Sequence, residues 1–191
     1  EMCIRDRLHM ANGRNIVIEL LPESAPNTVN SFIYTASRGY LDHHAIERIV
    51  PGNWVDVSYT AFGKKECRYL IPNEFELNPD VVPLDSHPGA VCMGGYGEAG
   101  LAGCEFFFPL RDCPDHKGIY PVFGRVLEGM DELYRLEKVE TVPVTDFPIE
   151  GVEVNRPVKP EIIERVELEL HGEIYPEPVR VREPELPECW K

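Results

Sequence analysis

The sequence has 191 residues, with 33 acidic against 19 basic, a formal net charge of −14; 43% of it is hydrophobic and 27% charged. That composition belongs to a folded chain and excludes wholesale disorder, while the acidic excess argues against a binder of nucleic-acid phosphates or an anionic membrane surface. No apolar run approaches the roughly 18 residues of a membrane-spanning helix.

Residues 1–10 carry Arg5 and Arg7 but no apolar stretch, so they are not a secretion signal. They are read as a leader of non-native origin, with Met10 as a candidate start. Gly13 to Leu21 alternates Ile16, Ile18 and Leu20 with Val17 and Glu19, which predicts a strand. Pro26 suits the first turn of a helix. Val29, Phe32, Ile33 and Ala36 then form an apolar stripe, and Gly39 ends a helix over roughly 26–38. Short β-like runs follow at 45–50, 54–59, 90–93, 104–110 and 122–126, with a glycine-rich loop over 94–103. A second helix begins after Gly129, and a last strand spans 165–170. Strand-rich order with many turns predicts a sandwich or a closed barrel. Residues 172–191 have too few apolar side chains for a core and are read as an exposed Pro- and Glu-rich tail.

The six cysteines, Cys3, Cys67, Cys92, Cys104, Cys113 and Cys189, are widely spaced with no CxxC. Free thiols in a reducing cytoplasm are expected rather than a disulfide framework. Cys113-Pro-Asp-His116 and His43-His44 supply metal-ligand types without tetrahedral spacing, and the glycine-rich loop lacks the lysine of a phosphate loop. Neither a metal nor a cofactor is expected.

Six fragments in order carry a resemblance: I-V-I-E-L-L-P-E-S-A-P-N-T-V-N-S-F-I (16–33), E-R-I-V-P-G (47–52), Y-L-I-P-N-E-F (69–75), G-A-V-C-M (89–93), G-C-E-F-F-F (103–108) and V-F-G-R-V-L-E-G-M (122–130). Together they resemble the cyclophilin-type peptidyl-prolyl cis-trans isomerases. The resemblance implies a mainly β fold, a closed eight-stranded antiparallel barrel capped by two α-helices, here over 11–171. It implies isomerisation of X-Pro bonds in proline-containing peptides or unfolded protein clients. That reaction is slow because amide resonance sets a barrier of about 18–20 kcal/mol, and it needs only preferential binding of the twisted amide. A monomer is expected.

By the same resemblance Arg48 is the catalytic donor, Phe107 and Met93 are walls of the proline pocket, and Tyr120 is at its rim. Gly94 and Gly95 offer backbone groups to an extended peptide. The sequence also departs from the family. Asn53 stands where a pocket phenylalanine is usual, Asp56 replaces a glutamine beside the arginine, and Asp115 and His116 replace an apolar pair at the mouth. Asn53, Asp56 and His116 are retained as substrate-binding positions, and strand alternation aims Trp54 away from Asn53. These departures keep a second reading open, a cyclophilin-like module that binds peptides with little turnover.

Overall fold

The computed structural model describes residues 5–57 and 63–191. In chain order they form β1 (Arg5–Met10), β2 (Asn15–Leu20), α1 (Pro26–Ser37), β3 (His44–Ile46), β4 (Arg48–Val50), β5 (Trp54–Val57), β6 (Leu70–Ile71), α2 (Glu74–Leu77) and β7 (Ala90–Gly95). After these come β8 (Leu101–Pro109), β9 (Val122–Glu128), α3 (Met130–Leu136), β10 (Thr141–Pro143), β11 (Asn155–Pro157) and β12 (Glu161–Glu167). The main sheet runs β3-β12-β1-β2-β9-β7-β8-β5-β4, with β6 added to β8, and every pairing in it is antiparallel. Its two ends, β3 and β4, are joined by the single residue Glu47, so one bent strand brings the ends of the path together. Counted as one, β3 and β4 turn the nine strands of that path into the eight of a nearly closed barrel.

Side-chain alternation divides the molecule into an inside and an outside. Phe106 and Phe108 of β8 face the barrel interior with Ile18, Val55, Met93 and Phe123. Phe107 faces outward, in a separate cluster with Ala90, Cys92, Val122, Trp54 and Tyr120. All nine residues of β8 are buried, which explains its nearly unbroken apolar sequence. The stripe of α1 (Val29, Phe32, Ile33, Ala36) and Leu133 and Leu136 of α3 close the core. Burying a side chain of this size stabilises by about 1.5–3 kcal/mol.

Where Ala25 at the N-cap of α1 has no side-chain oxygen to offer, a distant carboxylate caps the helix instead. Glu74 of α2 accepts from the Thr28 backbone N–H at 2.8 Å, from the Asn27 N–H at 3.3 Å and from the Thr28 hydroxyl at 2.6 Å. A buried negative charge at the positive end of a helix satisfies both the orphan donors and the dipole. The contact ties α1 to α2, a one-turn helix absent from the sequence reading and capped by the Asn73 side chain, which accepts from the Phe75 N–H at 3.0 Å.

The structure corrects two boundaries. Residues 5–10 belong to the barrel and extend it before residue 11: β1 is paired on both sides, with β2 and β12, and Asp6, Leu8 and Met10 are buried. Nor is 172–191 simply exposed. The Val179 N–H donates to Asn27 at 2.7 Å, the Val181 N–H donates to the Leu70 carbonyl at 2.8 Å, and Trp190 is only 1% exposed.

Candidate active site

The turn at Pro51-Gly52 joins β4 to β5 so that Arg48 lies directly opposite Asp56. Cross-strand neighbours approach within side-chain reach, and an Arg48 guanidinium nitrogen meets Asp56 Oδ2 at 2.7 Å. Both side chains are largely buried, which strengthens their attraction and makes removal of either partner costly. Arg48 Nε donates to the backbone carbonyl of Glu153 at 2.7 Å. That carbonyl belongs to the loop joining β10 to β11, which also brings Ile149 and Val152 to the site.

Beside the arginine lies a cavity of about 390 Å³. Trp54 and Phe107 meet edge to face with centroids 6.1 Å apart, Phe107 and Tyr120 at 5.7 Å, and His116 and Tyr120 at 4.8 Å. Edge-to-face packing of this kind fixes ring positions as well as burying area. Burial, assisted by the charge of Arg111, holds His116 below its ordinary pKa, so near neutrality its imidazole is an uncharged wall. Two buried ring nitrogens of this group, Trp54 Nε1 and His116 Nδ1, have no hydrogen-bond partner among the described residues. Each such group costs about 1–3 kcal/mol, a penalty that a ligand oxygen or N–H can relieve.

The polar wall holds a carboxylate. Glu105 lies two residues before Phe107 and shares its outward face. It accepts from the Tyr96 hydroxyl at 2.8 Å and from Trp190 Nε1 at 3.0 Å. Burial, and secondly the charge of Asp56, raises its pKa from 4.5 to about 8. Asp6, in β1, is raised mainly by burial from 3.8 to about 7. Between the low and the raised values the folded protein holds protons that the unfolded chain has lost. The stability that these two groups contribute is therefore fully present on the acid side and is lost as pH rises toward 8. The thermal midpoint is expected to fall between about pH 5 and pH 8, and less steeply in Glu105→Gln and Asp6→Asn. A flat wild-type profile across that range would contradict these assignments.

Of the residues singled out from sequence, Arg48, Asp56, Gly94, Gly95, Phe107, His116 and Tyr120 line this one cavity. Met93 does not. It is opposite Phe106 and inside the barrel, whereas its neighbour Cys92 is opposite Phe107 and packs under the pocket. Asn53 is not a lining residue either. It sits in the β4–β5 turn, accepting from Arg111 Nε at 2.7 Å, and Trp54 fills the wall instead. Asn53→Phe is accordingly expected to leave peptide affinity within about twofold of wild type. Tightening well beyond that in a titration would return the position to the pocket. Trp54, Tyr96, Glu105, Ile149 and Val152 were not singled out. Alternation from Asp56 and Phe107 signals the first and third; nothing local signals Ile149 or Val152.

A family model described as cyclophilin type peptidyl-prolyl cis-trans isomerase/CLD matches residues 7–174. The chain is 31% identical over 153 residues to peptidyl-prolyl cis-trans isomerase-like 1 of Gibberella zeae, covering 80% of this chain and 91% of that protein. It is 29% identical over 150 residues to peptidylprolyl isomerase domain and WD repeat-containing protein 1 of Mus musculus, covering 77% of this chain. It spans only 22% of that longer relative. Among solved structures it resembles a cyclophilin type peptidyl-prolyl cis-trans isomerase of Cryptosporidium parvum. The TM-score is 0.67 at 20% identity, over 88% of this chain and 98% of that one. The structure of that protein is also known in the presence of the dipeptide Ala-Pro. The structural likeness establishes the barrel and the sequence match its lineage: this chain belongs to the cyclophilin-type peptidyl-prolyl cis-trans isomerase family.

Proposed function

We propose that the protein isomerises X-Pro bonds in peptides and unfolded protein clients and so assists their folding. The observation that carries this reading is the Arg48 guanidinium held at the edge of an apolar cavity walled by Trp54, Phe107 and Tyr120. In a planar amide the nitrogen lone pair is delocalised and accepts poorly; twisting localises it. A fixed guanidinium beside the aromatic wall then donates to the twisted nitrogen and not to the planar one, which is differential binding of the transition state. No covalent intermediate or proton transfer is needed. A protease-free isomerisation assay on a short X-Pro peptide tests the reading; a rate indistinguishable from the uncatalysed one would overturn it.

The peptide-binding alternative draws on one feature. Asp56 and the Glu153 carbonyl both accept from Arg48, which directs part of its donor capacity inward. Peptide binding without acceleration in the same assay is the outcome that favours it. We further read the protein as a monomer of the cytoplasm. Every strand of six or more residues is paired on both sides, which supports a monomer, and the five described cysteines are free, which suits a reducing compartment.

A further inference from the structure

The outward face of β8 has two neighbours. On one side are Arg48 and Asp56 of the pocket; on the other is the segment 181–190. Val181, Leu186 and Cys189 pack with Tyr96 and Ala99 around the buried Leu70, Ala102 and Trp190. Trp190 and Tyr96 meet edge to face at 5.5 Å. Glu105 stands between the two sides: its carboxylate accepts from Tyr96 and Trp190, and the residue lines the same cavity as Arg48 and Asp56.

We propose that Trp190 is a positioning residue of the active site, its indole N–H holding the Glu105 carboxylate in place so that segment 186–191 sets the field in which Arg48 works. The activity part of this inference rests on the isomerase reading; the coupling of Trp190 to Glu105 does not.

The groups facing Glu105 come from every element packed on it. Arg48 approaches from β4, Asp56 from β5, Tyr96 from the turn after β7, and Cys189 and Trp190 from the final segment. Among the described residues that act on Glu105, Arg48 is the cation. An ionised Glu105 therefore joins Asp56 in offsetting the charge that Arg48 directs at the twisted amide, and a protonated Glu105 does not. Burial and Asp56 favour the protonated form, whereas donation by Tyr96 and Trp190, and the charge of Arg48, favour the ionised one. Trp190 thus acts on Arg48 through the charge of Glu105, without touching the substrate pocket itself.

The full chain is used for the test, with Trp190→Phe and Glu105→Gln. Phenylalanine keeps most of the apolar body and the ring contact while removing the N–H. Wild-type protein without peptide is followed by the indole N–H resonance of Trp190, identified by its loss in Trp190→Phe. It is expected to titrate with a midpoint near pH 8 and to stay flat in Glu105→Gln over the same range. With an X-Pro peptide, kcat/KM is expected to decline above neutrality in wild type, because ionised Glu105 opposes Arg48. The decline should move to higher pH in Trp190→Phe, since a donor to the carboxylate is lost, and disappear in Glu105→Gln. Superimposable pH profiles of wild type and Trp190→Phe, with both folded, would overturn the proposal. An indole resonance that titrates identically in Glu105→Gln would do the same. If wild type has no turnover, the isomerase reading fails alone. The indole titration then decides the coupling, and peptide affinity against pH replaces kcat/KM.

Discussion

Arg48→Ala is expected to lower turnover of a short X-Pro peptide by about a hundredfold, with a much smaller change in peptide affinity. The size follows from losing one preorganised donor aimed at charge that develops only in the transition state. The guanidinium is oriented by Asp56 at 2.7 Å and by the Glu153 carbonyl at 2.7 Å, so little reorganisation is needed when the amide twists. Truncation has a second consequence. It leaves Asp56, only 9% exposed, without its guanidinium partner, and breaking such a pair costs about 3–5 kcal/mol. A loss of activity through unfolding is separated by the double variant Arg48→Ala/Asp56→Ala, which removes the stranded carboxylate. Its stability should recover part of the loss while its turnover stays low. Arg48→Lys keeps the charge but not the fork that serves two acceptors, and should fall between. Wild-type turnover in a folded Arg48→Ala would remove Arg48 from the mechanism.

The same geometry bears on Asp56. Its carboxylate fixes the arginine and offsets its charge, so replacement has two opposed effects. Asp56→Gln relieves the charge and keeps an acceptor for the guanidinium. Turnover should rise in that variant, whereas Asp56→Ala leaves Arg48 less well oriented.

What the sequence revealed follows the reach of local patterns. The helix expected over 26–38 is α1 at Pro26–Ser37, and the strand expected over 13–21 is β2 at Asn15–Leu20, because both carry regular apolar periods. The strand expected over 54–59 is described as Trp54–Val57; residues 58 and 59 lie outside the described residues. The last strand is earlier than expected, Glu161–Glu167 rather than 165–170. β1 escaped notice because one of its three inward positions is Asp6, whose burial is made tolerable by accepting from the Glu169 N–H at 3.1 Å. A charged residue in an inward position hides the alternation that defines a strand. The docking of 172–191 escaped for a related reason. Val181, Leu186 and Trp190 each fill a separate spot without any period, and only the surface prepared by β6 and β8 makes them a unit. Within the site, the arginine and Phe107 were legible from motif and order. The face assignments of Asn53, Trp54 and Met93 depended on where β5 begins and on which face of β7 lies outward, which only pairing with β8 fixes.

Trp54→Ala is expected to weaken peptide binding about thirtyfold, the loss of a central aromatic anchor worth about 2 kcal/mol, with kcat reduced much less. Trp54 reaches the pocket because it lies two residues before Asp56 on the same face of β5, opposite Pro109 at the end of β8. It packs edge to face on Phe107 at 6.1 Å, lies 5.7 Å from His116, and has the Arg48 guanidinium carbon 5.4 Å from its ring centroid. Removing it opens the cavity on the side nearest the arginine and exposes Phe107, so a proline ring loses one of its walls while the donor remains. Binding therefore falls more than the chemical step. Trp54→Met restores apolar volume without the rigid ring and should recover a good part of the affinity. Tryptophan fluorescence supplies the binding readout: in Trp190→Phe, Trp54 is the sole tryptophan and its emission should shift as peptide enters. Peptide affinity unchanged in Trp54→Ala, or emission of the Trp190→Phe protein insensitive to saturating peptide, would place the proline elsewhere than beside Trp54.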